Sequence, residues 1–351
     1  METKYTIEDL KTMQKWSLER KIRVTQLRIM EWYIRHGGNV YVSFSGGKDS
    51  TVLLDLARRV FPDIPAVFVD TGLEYPEIKS FVKQFENVKI LRPKMTFFEV
   101  IKKYGYPLIS KEVGETVSQA QISLINKTSK YTYRLKKLNG TLTDKNGKTS
   151  QFNMTKYKPL LYVDFKISNK CCEIMKKSPV KQYEKETGEK AITAQMTSES
   201  RLRTSQWLKN GCNGFDMKRQ VSNPMSFWTE QDVLEYIYRV KTPISSVYGK
   251  VEIEPQYSQL CFDFFSNKVE FQTTKCRRTG CIYCGFGCHL EKYPSRFQLL
   301  KQTHPKLYDY CINGGEHNED GIWQPDKYGL GMGYVFDTLN QIYGDDFIRY
   351  K

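Results

Sequence analysis

The sequence predicts an α/β fold in which helices cover both faces of a twisted parallel sheet. Short apolar runs alternate with segments of helical periodicity, a pattern typical of βαβ units. A glycine loop joins the first apolar run to the helix after it, and polar residues also follow the second run. Because parallel sheets bind ligands beyond the carboxyl ends of their strands, we expect the functional site at these two connections.

Helical segments precede the sheet. Thr6 is a candidate helix cap, and a longer helix is predicted over residues 17–35, where Gly37 and Gly38 follow the last turn. Apolar residues recur on the turns of this helix, namely Ile22, Leu27, Met30 and Ile34.

The alternating elements follow in order. Strands are predicted over 40–44, 66–69, 88–91 and 191–194, and helices over 50–60, 76–85 and 96–104. Another helix is predicted to begin at Thr229, a capping residue that precedes acids in the first turn. We expect Val233, Leu234 and Ile237 of this helix to face inward.

The connection after the first strand reads Ser-Gly-Gly-Lys-Asp-Ser over residues 45–50 and is similar to the loop of N-type ATP pyrophosphatases. Adjacent glycines allow a close approach to a polyanion, and the first amides of the helix point at phosphates. The alternative is a glycine turn before a buried helix, with Asp49 offsetting the helix dipole. We expect ATP and Mg²⁺ to bind here. The nucleotide-binding residues are predicted to be Ser43, Ser45, Gly46, Gly47, Lys48, Asp49, Ser50, Asp70, Thr71 and Gly72, with Asp49 and Asp70 as candidate Mg²⁺ ligands.

A polar insertion at about 110–165 interrupts the alternation. Its only acid between Glu115 and Asp164 is Asp144, and the turn from Asp144 to Gly147 predicts a hairpin. Basic and aromatic residues are interleaved, which indicates either a nucleic-acid surface or a solvated lysine-rich segment whose tyrosines pack on the domain. These residues are Lys127, Lys130, Tyr131, Tyr133, Arg134, Lys136, Lys137, Lys145, Lys148, Phe152, Lys156, Tyr157 and Lys158.

Cysteines form a second constellation near the end of the chain. Cys276, Cys281, Cys284 and Cys288 precede His289, while Cys171 and Cys172 lie upstream. Cys-x-x-Cys spacing lets two thiolates bind one metal, so the motif favours an iron–sulfur cluster or zinc over scattered structural thiols.

The length and composition of the chain limit its domain organisation, its partners and its location in the cell. The chain has 351 residues, a net charge of +15, 40% hydrophobic residues and nine cysteines. We predict a helical segment over 1–38, a nucleotide-binding α/β domain over 39–250 and a cysteine-rich metal-binding region over 251–351. The charge favours polyanionic partners, and the lack of a signal or spanning pattern predicts a cytoplasmic protein that binds no membrane.

Taken in order, these motifs resemble the phosphoadenosine phosphosulfate (PAPS) reductase family over about residues 20–290. The resemblance includes the glycine loop, Asp70-Thr-Gly72, Cys-Cys-x-x-x-Lys-x-x-Pro at 171–179, Glu199-Ser-x-x-Arg203 and Trp228-Thr-Glu-x-Asp-Val233. It implies an adenine nucleotide α-hydrolase-like fold. Relatives in this family include adenylyl-sulfate reductases and ATP-using enzymes that insert sulfur into DNA.

The resemblance also implies a four-iron, four-sulfur cluster. The reductase pattern would select Cys171, Cys172, Cys281 and Cys284, whereas the DNA-modifying pattern would replace Cys172 by Cys276. The fourth ligand therefore stays open between Cys172, Cys276 and Cys288.

Two departures from the family bear on activity. The Glu-Cys-Gly-Leu-His motif of the reductases is missing, and only Cys311 lies nearby. The family's Gly-x-Arg is replaced by Ala194 and Met196, so Arg201 or Arg203 is expected to substitute for the arginine, unless both are surface residues.

We therefore expect an enzyme that cleaves ATP at the α-phosphate, releases pyrophosphate and couples this to adenylation of, or sulfur transfer to, a polyanion such as DNA or RNA. Lys48, Asp49 and Arg203 are the expected catalytic residues. The sulfur donor or reductant is unidentified. One alternative is a reductase that takes adenylated sulfate and releases sulfite, and another is a non-enzymatic nucleic-acid-binding module with a zinc site.

Overall fold

The computed structural model describes residues 3–126, 129, 132–254 and 269–351. Its α-helices there are α1 (Ile7–Gln14), α2 (Leu18–Arg35), α3 (Lys48–Arg58), α4 (Pro76–Val82), α5 (Phe97–Tyr104), α6 (Lys111–Ile125), α7 (Thr132–Asn139), α8 (Lys170–Cys172), α9 (Ser178–Thr187), α10 (Arg201–Asn210), α11 (Glu230–Val240), α12 (Arg296–Thr303), α13 (Pro305–Ile312) and α14 (Met332–Tyr343). Its strands there are β1 (Val40–Ser43), β2 (Ala66–Val69), β3 (Val88–Leu91), β4 (Leu108–Ile109), β5 (Lys190–Ile192), β6 (Asn213–Gly214), β7 (Val221–Ser222), β8 (Val251–Ile253), β9 (Phe271–Thr273), β10 (Gly285–Phe286), β11 (Glu316–His317) and β12 (Trp323–Gln324).

The described residues group into two compact units. The first unit draws on Met1–Asp70, Glu74–Arg92 and Pro179–Gly280, and the second on Thr71–Leu73, Pro93–Ser178 and Cys281–Lys351. These boundaries differ from those of the three predicted segments. Residues of α2 share a core with the sheet of the first unit, because Ile29 and Trp32 pack with Val40 and Val42.

The first unit is built on a six-stranded sheet with the order β3-β2-β1-β5-β7-β6. The pairs from β3 to β7 are parallel, and β6 is antiparallel to β7. The predicted α/β class is therefore confirmed. Strands 66–69 and 88–91 have the predicted bounds, whereas the strands predicted at 40–44 and 191–194 run from Val40 to Ser43 and from Lys190 to Ile192.

Helices cover both faces of this sheet. Val40, Val42, Ala66 and Phe68 belong to the large core that includes residues of α2, α3 and α11. The alternate residues Tyr41, Val67 and Ala191 form a smaller cluster on the other face, against Val180 and Tyr183 of α9. This alternation follows from the two-residue period of a strand.

Helix α2 turns a different face inward from the one that its recurring apolar residues suggested. Leu27, Met30 and Ile34 are exposed, whereas Leu18, Lys21, Thr25, Ile29 and Trp32 are buried. Two of the buried residues, Lys21 and Thr25, are polar, and each has hydrogen-bond partners in the fold. Lys21 Nζ donates to both carboxylate oxygens of Asp232 at 2.7 Å and to the Gln14 carbonyl at 2.8 Å, and Trp228 Nε1 donates to Thr25 Oγ1.

The capping predictions are confirmed. Thr6 caps α1 and Thr229 caps α11, each in a reciprocal capping box with the residue three positions later. Val233, Leu234 and Ile237 are buried. Helix α3 begins at Lys48, two residues before the predicted start.

In the second unit, the predicted insertion contains more regular structure than its polar composition suggested. Helix α6 follows Ser110, which caps it, and α7 follows later. The predicted hairpin is present: Thr143 pairs with Thr149, and Asp144 Oδ1 accepts the Lys148 amide at 3.0 Å. Lys127, Lys130 and Tyr131 lie outside the described residues.

None of the helices in the described ranges combines the length and the apolar character needed to cross a bilayer.

The turn between β1 and α3 depends on Gly46. Its φ is +70°, and an added Cβ would lie 2.8 Å from methyl groups of Ile78 and Val82. Gly47, the N-cap of α3, has an ordinary φ of −76°. The first glycine of the pair is thus required by both backbone conformation and packing.

We expect Lys21→Met to lower the free energy of unfolding by about 3 kcal/mol, because the substitution leaves the Asp232 carboxylate buried without its ammonium partner. Arg28→Met, at the solvent-exposed Arg28–Glu31 pair, should cost about 1 kcal/mol or less. Denaturant titration of both variants measures the difference, and equal losses would contradict the assigned importance of the buried pair.

We expect Gly46→Ala to destabilise the protein by about 3 kcal/mol, the sum of left-handed backbone strain and the clash with α4. Gly37→Ala is the matched control: its φ is +58° but no atom lies within 4 Å of the added Cβ, so it should lose only about 1 kcal/mol. Thermal and denaturant unfolding compare the two, and a Gly46→Ala cost no greater than that of the control would rule out the clash.

Candidate functional site

The glycine loop of the first unit is held in shape by two serines. The Ser45 amide donates to Ser50 Oγ at 3.1 Å, and Ser50 Oγ donates to the Gly47 carbonyl at 2.9 Å. Ser43 ends β1, so the loop and the start of α3 lie beyond the carboxyl end of a central strand. An 11-residue helix that begins at this edge presents its first amides and its positive dipole end to an anion.

Lys48 is enclosed at the start of this helix, with only 2% of its surface exposed. Its Nζ donates to the Arg277 carbonyl at 3.0 Å and lies 3.2 Å from Glu230 Oε1. Asp49 Oδ1 is farther away, at 3.9 Å. The predicted phosphate-binding lysine is thus enclosed beside two carboxylates.

Residues 277–279 form part of the same site. Arg277 makes an ion pair of 2.7 Å with Glu230. The Lys48 amide donates to the Tyr248 hydroxyl at 3.3 Å, and that hydroxyl shares a 2.6 Å hydrogen bond with Thr279 Oγ1. Burial raises the pKa of Tyr248 to about 12, so the phenol is neutral at pH 7.

Asp49 has the environment of a cation ligand. Its Oδ1 is enclosed by protein and accepts no hydrogen bond from the described residues. Burial raises the pKa of the Asp49 carboxyl, against the opposing charges of Lys48 and Arg278. A carboxylate that is one-third exposed but has one enclosed oxygen, at a helix start beside several cations, is a suitable ligand for a hard metal ion that accompanies phosphate.

Arg203 belongs to the same charge cluster. It forms an ion pair with Glu199 on the preceding turn. Burial and the like charge of Arg278 lower the pKa of the Arg203 guanidinium, while Asp49 opposes the shift. Arg201 is exposed. Of the two arginines proposed to substitute for the missing family arginine, the structure brings Arg203 to the loop.

The connection after β2 is the second one that was predicted to bind the nucleotide, and its residues make a different set of contacts from those of the glycine loop. Asp70 follows β2 and makes a 2.7 Å ion pair with Lys79 of α4. Thr71 Oγ1 accepts the Leu73 amide at 3.2 Å, and Gly72 has a φ of +78°. Thr71 and Gly72 are grouped with the second unit, so the structure does not gather all the predicted nucleotide residues in one unit.

Four predicted metal ligands line one small cavity of the second unit. Cys171, Cys172, Cys281 and Cys284 share it with Leu73, Phe97, Pro107, Met175 and Lys176. The loop is tightly folded: Cys284 N–H donates to the Cys281 carbonyl at 3.1 Å, and Ile282 N–H donates to the Leu73 carbonyl at 2.8 Å. The π-helical turn Glu173–Lys177 follows the Cys171–Cys172 pair directly, an irregularity that is frequent at functional sites.

The backbone beside the cavity is strained. Ile109 is a buried β-branched residue with a φ of +63°. Its carbonyl accepts the Gly287 amide at 2.8 Å, and β4 pairs with β10 just after Cys284. Strain of this kind persists where the surroundings over-determine the backbone, and here it positions the cysteine loop.

The donor set suits a soft metal centre, since thiolates are the preferred ligands of zinc and iron–sulfur clusters. A hydrogen bond from Cys171 lowers the pKa of Cys172 to about 6 despite burial, helped by Lys111, Lys176 and Lys177. Among the described residues, no group of three or more His, Cys, Asp or Glu side chains has the arrangement of a closed metal site. To hold a single ion such as zinc, the four cavity thiols would therefore have to move from these positions.

The other cysteines occupy different surroundings. Cys276 belongs to the first unit, where its thiol donates to the Arg278 carbonyl at 2.8 Å. Cys288 is buried and donates to the Gly285 carbonyl at 3.0 Å. Cys311 is fully buried against Met332, and burial raises the pKa of its thiol far above the usual value. None of the eight described cysteines forms a disulfide.

Sequence reasoning missed Glu230, Tyr248 and residues 277–279. Glu230 lies within the Trp228-Thr-Glu-x-Asp-Val233 motif, which indicated a helix cap and the family resemblance but no site residue. Arg277, Arg278 and Thr279 lie between Cys276 and Cys281, within a motif whose cysteine spacing predicted a metal site rather than an anion site. Two adjacent arginines in a loop were the available signal for an anion site.

Known proteins are similar to parts of this chain. The phosphoadenosine phosphosulfate reductase domain matches residues 39–143 and 119–286. An uncharacterized protein of Methanocaldococcus jannaschii is 37% identical over 110 residues, which cover 29% of this chain and 26% of that protein. The adenosine 5'-phosphosulfate reductase of Halalkalibacterium halodurans is 29% identical over 96 residues, 25% of this chain and 40% of the reductase.

The matched regions thus span well under half the length of these relatives. A solved structure of phosphoadenylyl-sulfate reductase from Candida auris, in complex with phosphate, covers 70% of this chain and 92% of its own at 15% identity, with a TM-score of 0.35. Since the domain match extends over more than half of the residues, the chain belongs to the phosphoadenosine phosphosulfate reductase family.

Proposed function

We propose that the first unit binds Mg²⁺–ATP at the glycine loop and cleaves it between the α- and β-phosphates. An acceptor oxygen attacks the α-phosphorus, the bond to the bridging oxygen breaks, and pyrophosphate leaves, so that the acceptor carries AMP. A sulfur nucleophile from a donor then displaces AMP and takes the place of that oxygen. The dry, hydrogen-bond-deficient Oδ1 of Asp49, set among cations at a helix start, carries this proposal.

Each residue of the candidate site has a separate role in this proposal. Lys48 and the first amides of α3 would stabilise the negative charge that grows on the leaving pyrophosphate. Asp49 would hold Mg²⁺, and Arg203 would bind the α-phosphate or the acceptor. Asp70 is engaged by Lys79, which supports a role in orienting the site through that ion pair.

A nucleic acid is the acceptor that the second unit favours. Residues 132–166 contain eight lysines and arginines against two acids, and six of the eight remain for this role because Arg134 and Lys137 pair with Glu115 and Glu112 of α6. Three aromatic side chains in this stretch are open to solvent: Tyr133 is 52%, Phe152 61% and Tyr162 73% exposed. Cations that contact phosphates and open rings that stack on bases are the usual means of holding a single strand. Tyr157, by contrast, packs against Tyr343, as the alternative of a packed insertion expected.

Cys171, Cys172, Cys281 and Cys284 would hold a four-iron, four-sulfur cluster or, as the alternative, zinc. When bound, an iron–sulfur cluster supplies either a site that carries sulfur or a structural and electrostatic element. The chain's own contribution is to exclude water with Leu73, Phe97 and Met175 and to favour the Cys172 thiolate with nearby lysines.

A second candidate function is reduction of adenylated sulfate. The relatives named adenosine 5'-phosphosulfate reductase favour it. Such a reaction needs a thiol that can reach the sulfur atom, and the complete burial of Cys311 argues against that residue as the nucleophile. A non-enzymatic zinc module is the third candidate.

We expect the protein, incubated with Mg²⁺–ATP, to release pyrophosphate, and Asp49→Asn to slow the release at least about 100-fold because the metal ligand is lost. The variant should be no less stable than the wild type, since burial disfavours the carboxylate. Asp63→Asn, at an exposed carboxylate of the same unit, should leave the rate unchanged.

The same assay separates the candidate functions. Stimulation by single-stranded DNA or RNA supports the proposed acceptor, and the lack of stimulation by any nucleic acid would refute it. Sulfite release from adenylyl sulfate with a thiol reductant, without pyrophosphate release from ATP, would establish the reductase instead.

We expect anaerobically purified protein to contain about four irons and four sulfides per chain and Cys172→Ser to lose most of them. Cys276→Ser should retain them, because its thiol donates to the Arg278 carbonyl and is not among the residues that line the cavity. Elemental analysis and the visible absorption spectrum measure both. Loss of the cluster in Cys276→Ser would show that Cys276 is the fourth ligand, and one zinc without sulfide would favour the zinc site.

A further inference from the structure

Glu230 is held by two cations, Lys48 of the glycine loop and Arg277. One carboxylate oxygen, Oε1, lies 3.2 Å from Lys48 Nζ. The other, Oε2, accepts from Arg277 Nη2 at 2.7 Å and from Nε at 3.2 Å. A carboxylate between an ammonium and a guanidinium has the same partners that a bound phosphate group recruits.

The two contacts differ in strength. Arg277 meets Oε2 with two N–H donors, but its side chain is 79% exposed, so it can move without leaving a buried charge. Oε1 is enclosed and accepts no hydrogen bond from the described residues, so Lys48 and Glu230 attract one another as charges without a well-formed hydrogen bond. Such a pair is the easier one for a competing anion to replace.

Two contacts of Lys48 do not involve Glu230 and would remain if Glu230 were displaced. Its Nζ also donates to the Arg277 carbonyl at 3.0 Å, and its amide is tied to Tyr248. These contacts hold the ammonium at the start of α3, where the loop amides and the helix dipole favour a second anion. A phosphate at this point needs only to displace the carboxylate.

We propose that Glu230 is an exchangeable counter-ion that occupies Lys48 and Arg277 until a pyrophosphoryl group replaces it, and that residues 277–279 are part of the phosphate site. Glu230 is a positioning residue, because it acts through the two cations. The inference rests on the proposed function and deepens it: the ligand class is a di- or triphosphate, and Glu230 sets how tightly the pyrophosphate product is held.

Competition between the Glu230 carboxylate and a polyphosphate predicts the direction in which the Kd changes when Glu230 is replaced. A carboxylate that must be displaced weakens polyphosphate binding, so its removal strengthens binding. We expect Glu230→Gln, which keeps the shape of the side chain, to lower the Kd for inorganic pyrophosphate and for Mg²⁺–ATP about tenfold. The KM for ATP should fall with it, and kcat should not rise because the product leaves more slowly. A purely structural role would weaken binding instead.

The matched control is Glu235→Gln on the same helix, where the glutamate pairs with Arg239. Calorimetric titration with pyrophosphate and with Mg²⁺–ATP compares the three proteins, and the control should keep the wild-type Kd. Unchanged or weaker binding by Glu230→Gln, with normal binding by the wild type, would overturn this inference alone. If the wild type binds neither ligand, the proposed function and the inference both fail.

Discussion

The enclosed ammonium of Lys48 is the constraint around which the first unit is organised. A charge with 2% exposure needs compensation from nearby groups. Three separate parts of the chain supply it: Asp49 at the loop, Glu230 at the start of α11 and the Arg277 carbonyl. Helix α11 is itself fixed by the bond of Lys21 to Asp232, two residues after Glu230. The buried ion pair of α2 therefore helps to place a carboxylate beside Lys48.

The sequence was most informative where one local rule decides the structure. Short apolar runs between helical segments located the strands at 66–69 and 88–91. Thr6 and Thr229 marked helix starts because a cap needs only neighbouring residues. It was less informative where a distant partner decides. Nothing near Lys21 indicates that it is buried, since its partner Asp232 is 211 residues away. For the same reason, the recurrence of apolar residues along α2 does not show which of its faces is buried: Ile22 packs against the core, whereas Leu27, Met30 and Ile34 are exposed.

The candidate site shows the same division. The glycine loop could be identified from its own residues, and Arg203 from its spacing to Glu199. Glu230 and Tyr248 could not, because they reach Lys48 only through the fold. The cysteine motif also read as one feature, although Arg277 and Thr279 contact residues around the glycine loop while Cys281 and Cys284 line a cavity of the second unit. Short spacing in sequence did not imply a common role.

The burial of Cys311 against Met332 has a consequence for handling the protein in air. Peroxide and dissolved oxygen attack accessible, ionised sulfur first, and neither the enclosed thiol nor the adjacent thioether meets that condition. Cys172, with its lowered pKa, does. Oxidative damage should therefore begin among the cavity thiols, while the hydrophobic packing around α14 is spared, so aged preparations can stay folded after these thiols have been oxidised.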